Sequence, residues 1–468
     1  MQQKNHEKKI FRGVAKKLIK TGVELRQYYH SFLTLFPPPY SFSSCFNLSC
    51  LKNQIKDIDG IYIHIPFCKH FCKYCYYYKE KFEGQSQLER YLNLLKKEIE
   101  LFCNHFNFYK KPKIKALYIG GGTPSLLNEK QFQKLFSILN NHFYVKTKTE
   151  KVVEANPTSV TEKKIKYLKR IGVNRMSLGI QSFDQKLLKK MGRRYTIAYL
   201  EKSINIIKKY FNDWNIDIIF GFPGQTSEIL KEDLEKLKEI NPPSITFYQL
   251  SLKRNICIFR DLPEYSKLPK NVFPSLKEAI SMKYLLSQFL KHSNYKLEMF
   301  PWFLKPDFSH PYQEMTYKSE NIIGFGPSAR STGRNWGYSN VPTLQIYKEK
   351  LKNNTLPICS GVILTPVEIE LRKLLLELKM GEVSVNLDLL RHPITENVLD
   401  KLEKLKNTGV ILKKGKNVFQ LSDIGKMFAD EITSYLVPKL YHSKYCEHVC
   451  VHTNTVWSQG RWGKYEYV

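Results

Sequence analysis

The chain predicts an α/β protein: a partial six-unit parallel (β/α) barrel with a winged-helix-like α+β module at its C-terminal end. Three observations predict it. From residue 58 short β-type apolar runs alternate with longer Lys/Leu-rich helical patterns. The runs are continuously apolar, as strands buried on both faces must be. Residues with distinctive chemistry stand directly after the runs, where ligand sites form in parallel α/β sheets and barrels.

The elements follow in order. Residues 1–57 form an N-terminal extension of weak pattern. A basic helix is expected over 10–28, and Pro37-Pro38-Pro39 with a Ser-rich stretch to Ser49 gives an irregular connection. Strands are expected at 60–65, 116–119, 152–155, 175–179, 216–220 and 244–250, with helices near 88–103, 129–141, 161–171, 185–210 and 227–239. Six strands joined by helices imply right-handed crossovers in one parallel sheet, so the core domain is placed at 58–255. Residues 256–360 are Pro-rich and irregular, a barrel-closing region. Its glycine-punctuated loop 322–328 lets backbone approach a ligand. Residues 361–440 carry a helix at 366–380, a short helix and turn, a helix at 395–407, a small hairpin and a final helix. That order suggests a winged helix, which either binds DNA or packs as a lid. Residues 441–468 are a tail, in which Cys446, His448, Cys450 and His452 could hold zinc, haem or nothing.

Composition narrows the classes. The 468 residues are 42% hydrophobic and 25% charged, an ordinary globular mixture long enough for a sizeable core. No apolar stretch reaches membrane-spanning length, and the Lys-rich start lacks a secretory pattern. A cytoplasmic protein is expected. The ten cysteines are mostly scattered singly, which fits a reducing compartment. The formal charge of +31 suits an anionic partner, but the lysines are spread along the chain and read better as solvated faces. Nucleic acid is therefore not the expected partner.

The strongest local signal is Cys68, Cys72 and Cys75, a C-x3-C-x2-C loop after the first strand, with aromatic Tyr74 before the last cysteine. Three thiolates on one short loop can ligate three irons of a cubane and leave the fourth open. Zinc with His64 or His70, or three unrelated thiols, are the ordinary alternatives.

Motifs in the rest of the chain then resemble the radical S-adenosylmethionine enzymes, and within them the oxygen-independent coproporphyrinogen III oxidase family. The resemblance covers about residues 58–437. It rests on the stretch from Tyr62 to Cys68, Gly120-Gly121-Gly122-Thr123-Pro124, Glu154-Ala155-Asn156-Pro157, and the run 172–183. Gly192-Arg193-Arg194, the run 215–226 and Gly324-Phe325-Gly326 complete it. It implies a 4Fe-4S cluster on Cys68, Cys72 and Cys75. It implies S-adenosylmethionine contacts from Tyr62, Gly121, Gly122, Thr123, Glu154, Gln181, Arg193 and Asp217. Gln249 and Arg330 fall where the resemblance puts contacts to a second S-adenosylmethionine, although family members carry smaller or apolar residues there. Tyr77 stands where the oxidase carries an additional cysteine.

The resemblance also implies a tetrapyrrole substrate and a reducing electron donor such as flavodoxin or ferredoxin. The leading expectation is radical chemistry on a tetrapyrrole, such as oxidative decarboxylation of coproporphyrinogen III. The alternatives are a radical methyltransferase on a non-porphyrin aromatic or quinone, and a haem chaperone. That chaperone carries a His-Asn-x-x-Tyr-Trp segment where this chain reads Gln313-Glu314-Met315-Thr316-Tyr317-Lys318.

Overall fold

The computed structural model describes residues 2–25, 36–37, 42–43, 46–250, 270–439 and 441. The core starts with β1 (Gly60–Ile65) and a small parallel pair, β2 (Phe67–Cys68) and β3 (Glu80–Lys81). It continues through β4 (Lys113–Gly121), β5 (Tyr144–Ala155), β6 (Arg175–Gln181), β7 (Asp213–Phe220) and β8 (Ser244–Gln249). Strands β1, β4, β5, β6, β7 and β8 are successive parallel neighbours, the six strands expected.

The crossover helices begin where the sequence supplies caps. Asn128 and Gln131 form a reciprocal capping box on Glu129–His142, and Thr161, Thr196 and Thr226 each accept an amide of the following first turn. On Gln85–His105 the residues Leu88, Leu92, Leu95 and Ile99 make one buried stripe. The single helix expected over 185–210 is two, Gln185–Lys190 and Ile197–Tyr210. Gly192, at φ +80°, ends the first and Thr196 caps the second, which leaves Arg193 in a loop.

The described part of 256–360 is ordered rather than irregular. Helix Leu276–Lys291 leads into β9 (Lys296–Met299), β10 (Trp302–Leu304), helix Pro311–Tyr317, β11 (Ile322–Phe325), β12 (Arg330–Gly333) and β13 (Trp336–Asn340), and β14 (Ile358–Ile363) follows. These strands extend the sheet to twelve, in the order β14-β13-β12-β11-β1-β4-β5-β6-β7-β8-β10-β9. β11 pairs parallel with β1, and the others join antiparallel. Such short strands broken by glycine carry too little periodic signal to be read locally, because their neighbours supply their burial.

The C-terminal module holds an antiparallel sheet of β15 (Glu382–Ser384), β17 (Val418–Leu421) and β16 (Ile411–Lys413), in that spatial order. Helices Pro366–Glu377, Val398–Thr408 and Ala429–Leu436 pack with it. A buried ion pair, Lys283 to Glu431 at 2.6 Å, ties it to helix Leu276–Lys291, and a second, Lys379 to Asp430, lies within the module. The N-terminal helix runs over Gln2–Thr21, earlier than expected, and Gly22 at φ +96° ends it. It lies on Val398–Thr408 and on Leu276–Lys291, with the Phe11 ring 5.7 Å from Tyr284 and 5.3 Å from Phe428. The four Cys/His positions of the tail lie outside the described residues. No helix among the described residues is long and apolar enough to cross a membrane.

The closed end of the sheet is pinned by Arg175, the first residue of β6. Its guanidinium donates to Asp213 at 2.7 Å, to Ser244 Oγ at 2.7 Å, to the Ser309 carbonyl at 3.1 Å, and to His310 Nε2. Asp213 and Ser244 open β7 and β8, so one fully buried cation joins three strand starts and the segment before Pro311.

Candidate functional site

Pro66 closes β1, and the pairing of Phe67-Cys68 with Glu80-Lys81 makes residues 69–79 leave and return at one place. The loop is docked rather than free. Lys73 N donates to Met191 O at 3.1 Å, Cys75 N to Cys72 O at 3.2 Å, and Phe82 N to Cys68 O at 2.9 Å. This turns Cys68, Cys72 and Cys75 toward a common cavity at the C-terminal ends of the parallel strands, about 1100 Å³ including its open mouth. All three are free cysteines. Burial, then the neighbouring Cys75, pushes the Cys68 thiol up to about 12, and burial raises Cys75 as well. These thiols need a bound cation to become thiolates, which is what a metal cluster supplies. Among the described residues no three His, Cys, Asp or Glu side chains converge on one point as ligands of a single ion. Three thiols on one loop that face one cavity are a donor set of the kind that holds an iron–sulfur cluster.

The next wall is the end of β4. Gly121 sits at φ +113°, and a Cβ on Gly122 would stand 2.8 Å from the Phe67 carbonyl oxygen and the Pro66 carbonyl carbon. Only glycine lets this loop lie against the cysteine strand. Glu154, at the end of β5, is fixed by two donors: Tyr118 Oη to Oε1 at 2.8 Å and Gly121 N to Oε2 at 3.0 Å. Burial pushes its carboxyl up to about 7 against those bonds, and nearby Asp217 pushes in the same direction. Asp217 itself is pushed up to about 6 by burial, although Ser177 Oγ at 3.3 Å and Asn215 Nδ2 at 2.7 Å donate to it. Two buried carboxylates that repel each other across one pocket suit a cationic ligand.

Gln181 lies at a β-bulge with φ +80°, a conformation rarely held by a residue other than glycine, and it faces the cavity. Gly179 leaves room for both Gln181 and Arg193, whose side chains would stand 2.9 Å and 3.3 Å from a Cβ there. Arg193 donates to Tyr74 Oη and lies 5.6 Å over the Tyr74 ring. Its Nε is buried with no hydrogen-bond partner, a donor left for a carboxylate or another acceptor within the cavity. Thr123 Oγ1 lies 3.5 Å from Cys68 Sγ.

The cavity lining therefore gathers most of the expected residues. The three cysteines, Gly121, Gly122 and Thr123 form one side, and Glu154, Gln181, Arg193, Asp217 and Gln249 form the other. Two expected residues do not line it. Tyr62 sits beneath the lining, its Oη 3.1 Å from His64 Nδ1 and its ring stacked 6.1 Å from Tyr118. Arg330 opens β12, which joins the sheet beyond β11 and pairs Arg330 with Ser339, and it is not among the lining residues. Reasoning from sequence passed over Tyr118, which orients Glu154, and Ser177 and Tyr248, which line the cavity. The period-two alternation would have found them. Tyr118 precedes Gly120 by two, Ser177 precedes Gly179 by two, and Tyr248 follows Thr246 by two.

The mouth is basic. His70 lines the cavity, and its imidazole is held below the ordinary value by partial desolvation and then by the charges of Arg194, Lys81 and Lys69.

A parallel (β/α) sheet with three thiols, a glycine loop and paired carboxylates at its strand ends defines a radical S-adenosylmethionine protein, and the Radical SAM superfamily model matches residues 62–237. The heme chaperone HemW of Lactococcus lactis is 29% identical over 82% of this chain and 91% of its own length. HemW of Buchnera aphidicola from Schizaphis graminum is 32% identical over 58% of this chain and 69% of its own length. The oxygen-independent coproporphyrinogen III oxidase of Helicobacter pylori is 23% identical over 86% of this chain and 93% of its own length. The structure of coproporphyrinogen III oxidase (HemN) from Escherichia coli superposes with a TM-score of 0.75 at 21% identity, covering 88% of this chain and 97% of that one. The chain belongs to the radical S-adenosylmethionine superfamily and, within it, to the family of HemW- and HemN-type proteins. That family implies a 4Fe-4S cluster and S-adenosylmethionine.

Proposed function

We propose that the protein handles haem, with a cluster and S-adenosylmethionine retained at the strand ends. Cys68, Cys72 and Cys75 would hold the 4Fe-4S cluster. Gly121, Gly122, Thr123, Glu154, Gln181, Arg193 and Asp217 would bind S-adenosylmethionine. Together the two groups supply reductive, one-electron cleavage of a sulfonium when bound. The chain's own contribution is placement. The glycine loop gives close backbone approach, Glu154 and Asp217 would receive the cationic groups of the ligand, and Arg193 would offer its unused Nε–H to the carboxylate.

One observation carries the reading. The thiol loop and the Glu154–Arg193 walls meet in one cavity, in a chain 32% and 31% identical to the heme chaperones of Buchnera aphidicola and Bacillus subtilis. Tyr77 supports it, because it stands where the resemblance puts the oxidase's extra cysteine. A second reading, oxidative decarboxylation of coproporphyrinogen III, is favoured by the cationic mouth, which suits propionates. Either reading needs a one-electron donor, and a flavodoxin- or ferredoxin-like protein fits that role.

The test uses full-length protein reconstituted under nitrogen with iron and sulfide. A stoichiometric Soret shift on haem titration is expected, without protoporphyrinogen IX from coproporphyrinogen III and dithionite. Protoporphyrinogen IX in the product, with no Soret shift, would transfer the assignment to the oxidase reading.

A further inference from the structure

The segment Gln313–Lys318 brings no imidazole. It forms most of the short helix Pro311–Tyr317, with Met315 and Tyr317 buried, so a bound haem needs its axial ligand elsewhere. Most of the described histidines are engaged or distant from the cavity. His64 has both ring nitrogens occupied, by Tyr62 Oη at 3.1 Å and the Tyr78 carbonyl at 3.0 Å. His310 is buried against Arg175. Among the described residues His70 is the one histidine that lines the cavity, and it is exposed.

Its surroundings match the other needs of a haem. Phe71 and Tyr77, on the same loop, leave 38% and 50% of their surface in water; Tyr77 lines the cavity, and Lys79 Nζ lies 5.5 Å over the Phe71 ring. Lys69 adjoins His70 in the chain, Lys81 pairs across from Cys68, and Arg194 stands beside Arg193, a lining residue of the same cavity. They come from three places: the cysteine loop, β3 and the loop that carries Arg193. Lys81 is anchored, its Nζ donating to the Lys69 carbonyl at 2.9 Å, and β2–β3 pairing sets it beside Cys68. The loop backbone is held by Lys73 N to Met191 O, so the group is presented by a docked segment.

A haem offers an iron that takes an imidazole nitrogen, two apolar faces and two propionates. Building on the haem-handling reading above, we propose that His70 is an axial ligand of haem seated on the cysteine loop. Its apolar surface lies against Phe71 and Tyr77, and its propionates are paired by Lys69, Lys81 and Arg194.

The test titrates haem into reconstituted wild type, His70→Ala and the triple variant Lys69→Glu, Lys81→Glu, Arg194→Glu. Iron, sulfide and the cluster electron paramagnetic resonance (EPR) signal serve as controls. Wild type is expected to give a histidine-ligated Soret spectrum. In His70→Ala that spectrum is lost and affinity falls by at least about 10-fold, the size seen even when an outer partner of a metal ligand is removed. Added imidazole restores the spectrum in His70→Gly. The triple variant binds more weakly with an unchanged ligand spectrum. If wild type and His70→Ala bind haem alike, the His70 assignment is overturned while haem handling stands. If wild type binds no haem, the reading beneath it fails. If His70→Ala changes the cluster signal before haem is added, His70 serves the cluster and the assignment is wrong.

Discussion

Tyr118→Phe isolates the control of Glu154 from the packing around it. The substitution removes one oxygen and keeps the ring, which stacks 4.8 Å from Tyr312 and 6.1 Å from Tyr62. The lost bond is the 2.8 Å donation from Tyr118 Oη to Glu154 Oε1, and it favours the ionised carboxylate. A hydrogen bond to a charged group is worth about 1.5–3 kcal/mol. At about 1.4 kcal/mol per unit, the carboxyl should titrate roughly one to two units higher than in wild type. Wild-type Glu154 sits at about 7, so half of it is ionised at neutral pH. If the carboxylate receives the cationic groups of S-adenosylmethionine, the variant binds about 5- to 50-fold more weakly at pH 7, and the gap closes above about pH 10. The assay is equilibrium dialysis of labelled S-adenosylmethionine against reconstituted protein from pH 6 to 10. Superimposable pH profiles for the two proteins would refute the claim that Tyr118 sets the charge of Glu154. A uniform weakening at every pH would point to lost packing instead.

Further outcomes follow from the same geometry. Alanine at Cys68, Cys72 or Cys75 should each remove the 4Fe-4S absorbance and EPR signal, whereas Cys103→Ala, a buried cysteine on Gln85–His105, should leave both intact; iron and sulfide analysis decides it. Glu98 is raised from 4.5 to about 7 by burial, against bonds from Tyr347, Gly326 and Asn340. Its folded value lies above the unfolded one, so its stabilising proton is fully held below about pH 4.5 and lost as pH rises through about 7, about 3 kcal/mol in all. Glu98→Gln should flatten the fall in stability over that window, as read by urea unfolding at several pH values; an unchanged slope would contradict the assignment. Arg175→Met should lower stability by about 3–5 kcal/mol, since it strands a buried network. Cluster content should survive, because the network lies at the opposite ends of the strands from the cavity, and combined loss of both would place Arg175 in the site.

Much of the site was legible because function in a parallel sheet is written at strand ends. The cysteine loop, Gly121-Gly122, Glu154 and Gln181 each follow or end an apolar run, Asp217 lies within one, and each lines the cavity. Arg193 was legible as a residue but not as a place. The helix pattern ran through it, and Gly192 with Thr196 broke that pattern into two helices. Arg330 could be named without its strand being seen, because β11 to β14 are four short strands whose register depends on partners far along the chain. The N-terminal helix was expected too late, since its basic face obscured the buried stripe of Phe11, Ala15 and Leu18.

The sequence by itself determined the local facts: which runs are strands, where caps start helices, and which short loop can bring three thiols together. These depend on neighbours within a few residues, so composition and spacing suffice. Only the tertiary structure decided that the sheet has twelve strands, that Tyr118 holds Glu154, and that Arg193 reaches Tyr74. Such pairings join residues separated by tens of positions or more. They are fixed by which buried polar group finds a partner once the chain has closed, a condition no local pattern records.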